Sequence, residues 1–284
     1  VPFPLATVKG MNLEPCVMAG YRLVWFQHLH KAAGTYVIRR AMANGETFWP
    51  VHENGNPVSN GQVIPLWKMN SGELKSFIDE CESKGVTFVA CEWGGGDFEV
   101  LANDERVELL TCLRHPINRL ISNYNYDHYW MWTKASSYQE YLAEGHLHSS
   151  PEYYTKIFAR GELDSNKALS NLELFDHVII AEDGMEVLDE LGWPKESDTT
   201  HPTFGDSRRA MILFAKLRWF RLFNYLKKNK FQPPGELKIE ELNQNDLEIY
   251  NSFEEDTDVS KVYPTTFFGY RKVTVDRPLK INIH

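Results

Sequence analysis

Residues 28–35 (HLHKAAGT) combine residue types that can bind an anion. The segment follows an apolar run at residues 21–27 and precedes a helical pattern at residues 35–43, so we predict that it joins a strand to a helix. Small side chains let backbone N–H groups approach an oxyanion closely, and a helix N-terminus favours negative charge. Lys31 can reach over the bound group, and Thr35 adds a hydroxyl. The segment therefore predicts a phosphate site, although a lysine and a glycine also occur in ordinary strand-to-helix turns.

A second candidate anion site lies at residues 113–124 (LRHPINRLISNY). The apolar run at residues 107–113 predicts a strand, and Pro116 suits the first turn of a helix that we predict as far as residue 126. Arg114 stands at the strand end, where it can meet an anion above the sheet edge. Ser122, roughly two helical turns further on, can share a face with the start of that helix. Arg119 is equally compatible with a packing or surface role.

The sequence lacks the motifs of three other kinds of site: a nucleotide-triphosphate loop, a hydrolase nucleophile and a tetrahedral metal site. The nucleotide-triphosphate loop, Gly-x-x-x-x-Gly-Lys-Ser/Thr, is absent, because here the lysine precedes the glycine. The Gly-x-Ser-x-Gly elbow of hydrolases is also absent. His146 and His148 have no nearby cysteine to complete a tetrahedral site, so we predict no bound metal.

Strand and helix patterns alternate along the segments that must position these loops. Asn70 and Glu73 form a capping-box pattern for a helix through residue 82. Further strands are predicted at residues 86–91 and 175–181, and a helix at residues 185–191. Continuous apolar strands separated by helices indicate an α/β, doubly wound fold with a mainly parallel sheet and helices on both faces. We expect residues 1–284 to form a single domain with insertions near residues 48–67 and 196–206.

The two loops together resemble a known family. A strand, Lys-x-x-Gly-Thr and a helix, followed about 80 residues later by a strand, Leu-Arg-x-Pro-x-x-Arg-x-x-Ser-x-Tyr and a helix, is similar to the carbohydrate sulfotransferases that use 3′-phosphoadenosine 5′-phosphosulfate (PAPS). The likeness spans residues 21–126 and is greatest to the group with the heparan sulfate 2-O- and 6-O-sulfotransferases. Family members commonly have a proline before the loop lysine, where this chain has His30.

The resemblance implies a P-loop-like sulfotransferase fold, PAPS as donor, 3′-phosphoadenosine 5′-phosphate (PAP) as product and no required metal. In the family the first loop holds the 5′-phosphosulfate, and an arginine and a serine of the second loop hold the 3′-phosphate. The resemblance therefore implies that Arg114 and Ser122 hold the 3′-phosphate. It implies that the 5′-phosphosulfate is held by the first-loop residues Lys31, Ala32, Ala33, Gly34, Thr35 and Tyr36. By loose analogy with basic C-terminal loops of the family, Arg271 and Lys272 are expected to close over the nucleotide.

Sulfuryl transfer needs a base for the acceptor proton and positive charge on the oxygen that links sulfur to the departing phosphate. Lys31 suits the second role. Glu92, which follows the apolar run at residues 86–91, is our candidate base, and we expect burial to raise its pKa toward working pH. Asp97 and the imidazoles of His28 and His30 are the alternatives. A structural ion pair of Glu92 with Lys31 or Arg114 is the competing interpretation.

Composition limits the partners. The 30 basic and 39 acidic residues give a net charge of −9, which argues against a nucleic-acid binder. Residues 207–230 nevertheless hold eight Lys and Arg and no Asp or Glu among apolar residues, which predicts one basic amphipathic helix facing an anionic acceptor, an anionic membrane surface or solvent. The aromatic-rich segment 123–141 can stack on sugars, line a pocket or belong to the core. The four cysteines are expected to be reduced and buried.

The sequence therefore predicts a sulfotransferase acting on a hydroxyl, or an amine, of a carbohydrate or small-molecule acceptor. A nucleotide-dependent kinase of related fold and a catalytically silent nucleotide- or glycan-binding protein are the alternatives. No apolar run is long enough to span a membrane. An anchored precursor would work in the Golgi lumen, and a chain without an anchor in the cytoplasm.

Overall fold

The computed structural model describes residues 20–130, 132–135, 138–194, 206–227 and 243–253. Its main sheet has four parallel strands in the order β5-β1-β6-β7: β1 (Leu23–Gln27), β5 (Phe88–Cys91), β6 (Val107–Leu113) and β7 (His177–Ile180). β1 pairs with β5 on one side and with β6 on the other. The carboxyl ends of all four strands therefore meet at one edge.

Eleven helices belong to the described part of the chain. They are α1 (Gly34–Ala43), α2 (Ser71–Ser83), α3 (Phe98–Ala102), α4 (Pro116–Trp130), α5 (Tyr138–Ala143), α6 (Tyr153–Phe158), α7 (Ser165–Leu172), α8 (Val187–Glu190), α9 (Asp206–Ala215), α10 (Trp219–Lys227) and α11 (Gln244–Asn251). Short 3-10 turns occur at Leu66–Lys68 and Leu147–Ser149. None of the described helices is long and apolar enough to cross a membrane.

The sheet is buried on both faces. Along β1, Leu23 and Trp25 pack into a cluster with residues of α2, α6 and α7, whereas Val24 and Phe26 pack into a second cluster with α1 and α8. Alternate strand residues point to opposite faces, so an uninterrupted apolar strand needs helices on both sides. The predicted α/β, doubly wound fold is confirmed.

Most predicted elements are present with small changes in their ends. β6 has the predicted bounds, the capping box of Asn70 and Glu73 is formed, and α4 continues four residues beyond its predicted end. The single basic helix is wrong, because α9 ends at Ala215, Leu217 adopts a left-handed backbone (φ 53°) and α10 begins at Trp219. Cys81, Cys91 and Cys112 are free and buried, as expected.

The segment near residues 48–67, predicted as an insertion, contains a small antiparallel meander of β2 (His52–Glu53), β3 (Asn56–Ser59) and β4 (Gln62–Val63). It packs beside β5, where the Ala90 N–H donates to the Gly55 carbonyl at 2.9 Å. Gly55 has φ +81°, and a Cβ there would lie 3.0 Å from the Ala90 Cβ. The other predicted insertion, near residues 196–206, lies almost entirely outside the described residues.

Candidate active site

The two candidate anion loops meet at the carboxyl edge of the sheet. Arg114 follows β6, and its Nη1 donates to the Lys31 carbonyl in the loop after β1 at 3.3 Å. The Arg114 backbone is fixed by Tyr154, whose hydroxyl accepts from the Arg114 N–H at 3.1 Å and donates to its carbonyl at 2.6 Å. Residues 83 positions apart therefore share one site, as the sequence predicts.

The first loop has a backbone suited to anion binding. Lys31 (φ 67°) and Ala33 (φ 61°) both adopt the left-handed conformation, which costs non-glycine residues free energy and concentrates at functional sites. Ala33 is the N-cap of α1, and no side chain caps this helix. Its first N–H groups and the positive end of its dipole thus face the edge where Arg114 lies. Ala32 is buried and belongs to the core, so its side chain does not face this edge.

A buried stack beneath the loop explains why position 34 is glycine. The His28 ring lies against the Gly34 Cα, and a Cβ added there would come within 1.9 Å of His28 Cδ2 and 2.0 Å of Nε2. On its other side, His28 Nδ1 lies 3.5 Å from Glu92 Oε2. The start of α1 therefore packs against the His28 imidazole, and Glu92 contacts this ring on its other side.

Glu92 is held by two partners, neither of which is Lys31 or Arg114. Asn56 Nδ2 donates to Glu92 Oε2 at 3.3 Å, and Asn56 Oδ1 accepts from the Glu92 N–H at 3.0 Å. Burial alone would raise the pKa of Glu92, but its contact with His28 and the nearby His30 and His148 lower that pKa to about 2. The predicted raised pKa is wrong, and an acid this strong is a poor acceptor for a proton at neutral pH.

The Glu92 carboxylate should make folding stability depend on pH. Because the pKa falls from its usual 4.5 to about 2, the ionised form contributes about 3 kcal/mol above pH 4.5, and this is lost as pH falls toward 2. Glu92→Gln should therefore lower the free energy of unfolding at pH 7 much more than at pH 3, measured by urea denaturation. Exposed Glu105→Gln is the matched control. An equal loss at both pH values would contradict the lowered pKa of Glu92.

Asp97 does not reach the site. Its Oδ1 accepts from the Val100 N–H at 3.4 Å as the N-cap of α3, and its Oδ2 pairs with Arg160 at 3.1 Å. Both carboxylate oxygens of Asp97, the alternative base, are therefore engaged by α3 and Arg160. The glycines that precede it are packed: a Cβ at Gly95 would lie 1.9 Å from the Ile157 carbonyl oxygen, and one at Gly94 2.7 Å from Trp67.

The Lys31 ammonium lies over an aromatic ring of α4. Its Nζ is 3.9 Å from the centre of the Tyr126 ring. Burial and the positive charge of Arg114 lower the pKa of Lys31 to about 8. Ser122 lies one turn before Tyr126 on the same helix face, and its buried hydroxyl has no hydrogen-bond partner among the described residues. Lys31 thus contacts Arg114 through its carbonyl and, through its ammonium, the face of α4 that carries Ser122. The Tyr36 hydroxyl accepts from Arg40 instead, at 3.2 Å.

A histidine pair that the sequence did not reveal lies beside Lys31. The rings of His30 and His148 are 4.4 Å apart, and His30 also contacts Tyr126. Burial lowers the pKa of His30 well below its usual value and that of His148 to about 4, so both imidazoles are neutral at pH 7. The Nδ1 atoms of both rings have no hydrogen-bond partner among the described residues.

The position of His148 depends on a contact that no local pattern encodes. Buried Arg119 donates from Nη1 to the His148 carbonyl at 2.9 Å and stacks on Tyr153, with its Cζ 4.1 Å from the ring centre. Arg119 therefore has the packing role that the sequence left open. His146 and His148 stand in a segment that the sequence analysis considered only for metal binding.

Exposed tryptophans form a rim around the histidine pair. Trp93, which follows Glu92, contacts His148 with ring centres 5.2 Å apart. On the far side, Tyr126 contacts Trp130 and Trp132 at 6.2 and 5.5 Å, and these two tryptophans stack with an interplanar angle of 26°. Trp93 is 47% exposed and Trp132 is 65% exposed. Indoles left in water beside Lys31 and His30 form a platform on which a flat ligand face can stack.

Glu182 is a further site residue that the sequence analysis missed. It follows β7, accepts from the His115 N–H at 3.0 Å and lies 3.8 Å from Arg114 Nε. Burial raises the pKa of Glu182, although Arg114 opposes the shift. The signal available in the sequence was an acidic residue directly after the fourth strand, since all four strands end at this edge.

Two predicted site residues, Arg271 and Lys272, lie outside the described residues. No protein-family model matches the chain, and comparison with curated proteins finds no match.

Proposed function

We propose that this protein is a sulfotransferase that moves a sulfuryl group from PAPS to a hydroxyl group of a carbohydrate. The observation that carries the proposal is the contact between Arg114 Nη1 and the Lys31 carbonyl. It puts a guanidinium, an ammonium and an uncapped helix start at one strand edge, which suits a ligand with two separated anionic groups. The donor also supplies the activated sulfuryl group, and the resemblance of both loops to the carbohydrate sulfotransferases selects it over other bisphosphates.

The first loop is proposed to hold the 5′ end of the donor. N–H groups at the start of α1 bind the anionic oxygens, Thr35 adds a hydroxyl, and Lys31 neutralises the charge that develops when the sulfur–oxygen bond to the phosphate breaks. Arg114 and the unpartnered hydroxyl of Ser122 bind the 3′-phosphate. As the acceptor oxygen forms its new bond to sulfur, its proton passes to a base on the protein.

His30 is proposed as the base in place of Glu92, because the Glu92 carboxylate is engaged by Asn56 and His28. The His30 imidazole is neutral, its Nδ1 has no partner among the described residues, and it lies beside Tyr126, over which Lys31 sits. Glu92 is instead proposed as a positioning residue, because it holds His28 beneath the loop. His148 packs against the His30 ring and limits the space around it.

The tryptophan rim supports a carbohydrate acceptor. Sugar rings have apolar C–H faces that stack on exposed indoles, and Trp93 and Trp132 flank the histidine pair from two sides. An acceptor held between them would bring a hydroxyl to His30.

Calorimetric titration of the purified chain with PAP, ADP, and ATP with and without magnesium tests the donor. We expect micromolar binding of PAP and at least about tenfold weaker binding of ADP, because ADP lacks the 3′-phosphate. Preference for ATP with magnesium would replace the proposal with a kinase. Absence of binding would refute the donor site.

Arg114→Ala should weaken PAP binding about 10- to 100-fold and change ADP binding little, since the 3′-phosphate is the only nucleotide group that the guanidinium is proposed to bind. Arg39→Ala, which removes the same charge from an exposed position on α1, is the matched control and should leave both affinities unchanged. Equal losses for PAP and ADP with Arg114→Ala would contradict the assignment.

A second candidate, a nucleotide-binding protein without transfer activity, is favoured by one observation. The only carboxylate directly after β5, Glu92, is engaged by Asn56 and His28 and has a low pKa. Tight PAP binding without PAP release from PAPS across a panel of oligosaccharides would support this candidate.

A further inference from the structure

The pair α9 and α10 exposes an apolar surface that a soluble helical hairpin would bury. Seven large apolar side chains on this pair and its turn are more than half exposed: Met211, Phe214, Leu217, Trp219, Phe220, Phe223 and Leu226. The two helices pack chiefly against each other, with Phe214 and Trp219 in edge contact at 4.9 Å. Contiguous exposed apolar patches of this kind mark interaction surfaces.

The exposed residues have the spacing of a docking face. On α10, Trp219, Phe223 and Leu226 recur at i, i+4 and i+7, which places them along one side of the helix. In a helix packed on a core this stripe is buried, yet here all three side chains face solvent. On α9, Met211 and Phe214 are exposed and Leu213 is buried.

The charge of the hairpin indicates what covers this face. After Asp206 at the start of α9, residues 207–227 contain no Asp or Glu, although the whole chain has a net charge of −9. Their basic residues are Arg208, Arg209, Lys216, Arg218, Arg221 and Lys227. Lys216 and Arg218 are exposed and flank Leu217 at the turn. A surface that combines exposed aromatic rings with one sign of charge matches an apolar layer bordered by anions.

Leu217 destabilises the isolated folded chain in two ways, through its exposed apolar side chain and through its backbone conformation. It is 70% exposed, and its φ of 53° is a conformation that glycine adopts without strain and that a bulky side chain adopts only at a cost. Folding alone would be served better by glycine at this turn. A leucine held at the tip between two cations is explained when its side chain is buried in a partner.

We propose that the α9–α10 hairpin docks on a membrane surface rich in anionic phospholipid. The apolar side chains of the turn and of α10 enter the boundary between headgroups and acyl chains, while Lys216 and Arg218 bind lipid phosphates. A second copy of the chain suits this face less well, because two hairpins with the same sign of charge would then meet. The inference is independent of the sulfotransferase proposal.

Sedimentation of the full chain with vesicles tests the proposal. We expect binding to vesicles of phosphatidylserine and phosphatidylcholine, about tenfold weaker binding to phosphatidylcholine alone, and weaker binding as salt rises. Leu217→Gly should reduce binding to the anionic vesicles about tenfold without lowering the melting temperature, since it removes backbone strain as well as the apolar tip. Leu163→Gly, at a comparably exposed leucine in the loop between α6 and α7, is the matched control and should bind as the unaltered chain does.

Three outcomes would overturn the proposal. One is absence of binding to the anionic vesicles, which would mean that another part of the chain covers the face. Another is unchanged binding by Leu217→Gly. The third is a dimer, seen by sedimentation velocity without lipid, that Leu217→Gly dissociates, which would assign the face to a second copy.

Discussion

Lys31→Ala is expected to lower the rate of sulfuryl transfer at least about 100-fold while changing the free energy of unfolding by less than about 1 kcal/mol. The ammonium lies over Tyr126, so its loss removes charge stabilisation at the departing oxygen without opening the core. Alanine and lysine have similar difficulty with a φ of 67°, so the backbone strain is unchanged. Single-turnover transfer from PAPS and urea denaturation measure the two effects. Transfer at the normal rate would refute the role of Lys31.

The pH profile gives this prediction a second readout. Because the pKa of Lys31 is lowered to about 8, kcat/KM should fall as pH rises through about 8, where the free protein loses the ammonium. Bound donor adds negative charge beside Lys31 and raises the pKa of its ammonium. The fall of kcat at high pH, the alkaline limb of its profile, should therefore occur at a higher pH than the fall of kcat/KM. Lys31→Arg is the control, because arginine stays protonated and any remaining activity should lack this limb. An unchanged limb in that variant would assign it to another group.

Gly34→Ala should be a damaging single-methyl change at the first candidate loop. The new Cβ would lie 1.9 Å from His28 Cδ2, and the buried ring cannot move without leaving Glu92. We expect a loss of about 1 to 3 kcal/mol in the free energy of unfolding and a loss of PAP binding of at least about tenfold. Thermal melting and calorimetry measure the two losses.

A matched glycine and a second-site change make the Gly34 prediction specific. Gly72 in α2 has room for a methyl group, with its nearest neighbour at 3.4 Å, so Gly72→Ala should be neutral or stabilising. Adding His28→Ala to Gly34→Ala should restore part of the lost stability, because it removes the clash. Gly34→Ala with unaltered melting and PAP affinity would contradict the packing of His28 beneath the loop.

Local sequence signals determine the parts of the fold that were predicted correctly. The apolar run of β6, the capping box at Asn70 and the loop from His28 to Gly34 each depend on residues close together in the chain. The meeting of Lys31 and Arg114 was also predictable, because parallel strands place their carboxyl ends at one edge.

The features of the site that the sequence did not predict depend on contacts between distant segments. Asn56 in the meander holds Glu92, 36 positions away, and this lowers the availability of a carboxylate that looked like a base. His148 reaches His30 only because buried Arg119 holds its backbone. Neither pairing has a period or a spacing that sequence inspection can detect. The engagement of Asp97 has a local reason, since its place before α3 is that of an ordinary N-cap.

The contact between the meander and β5 has a consequence for exchange of segments between proteins. Surface insertions are usually interchangeable, because their loss leaves the core intact. Here the Asn56 side-chain amide donates from Nδ2 to the Glu92 carboxylate and accepts from the Glu92 N–H through Oδ1, and Glu92 in turn contacts His28 beneath the first candidate loop. A chimaera that replaces residues 48–67 would therefore have to keep asparagine at position 56. Without it, Glu92 and His28, which lie outside the exchanged segment, would lose their support.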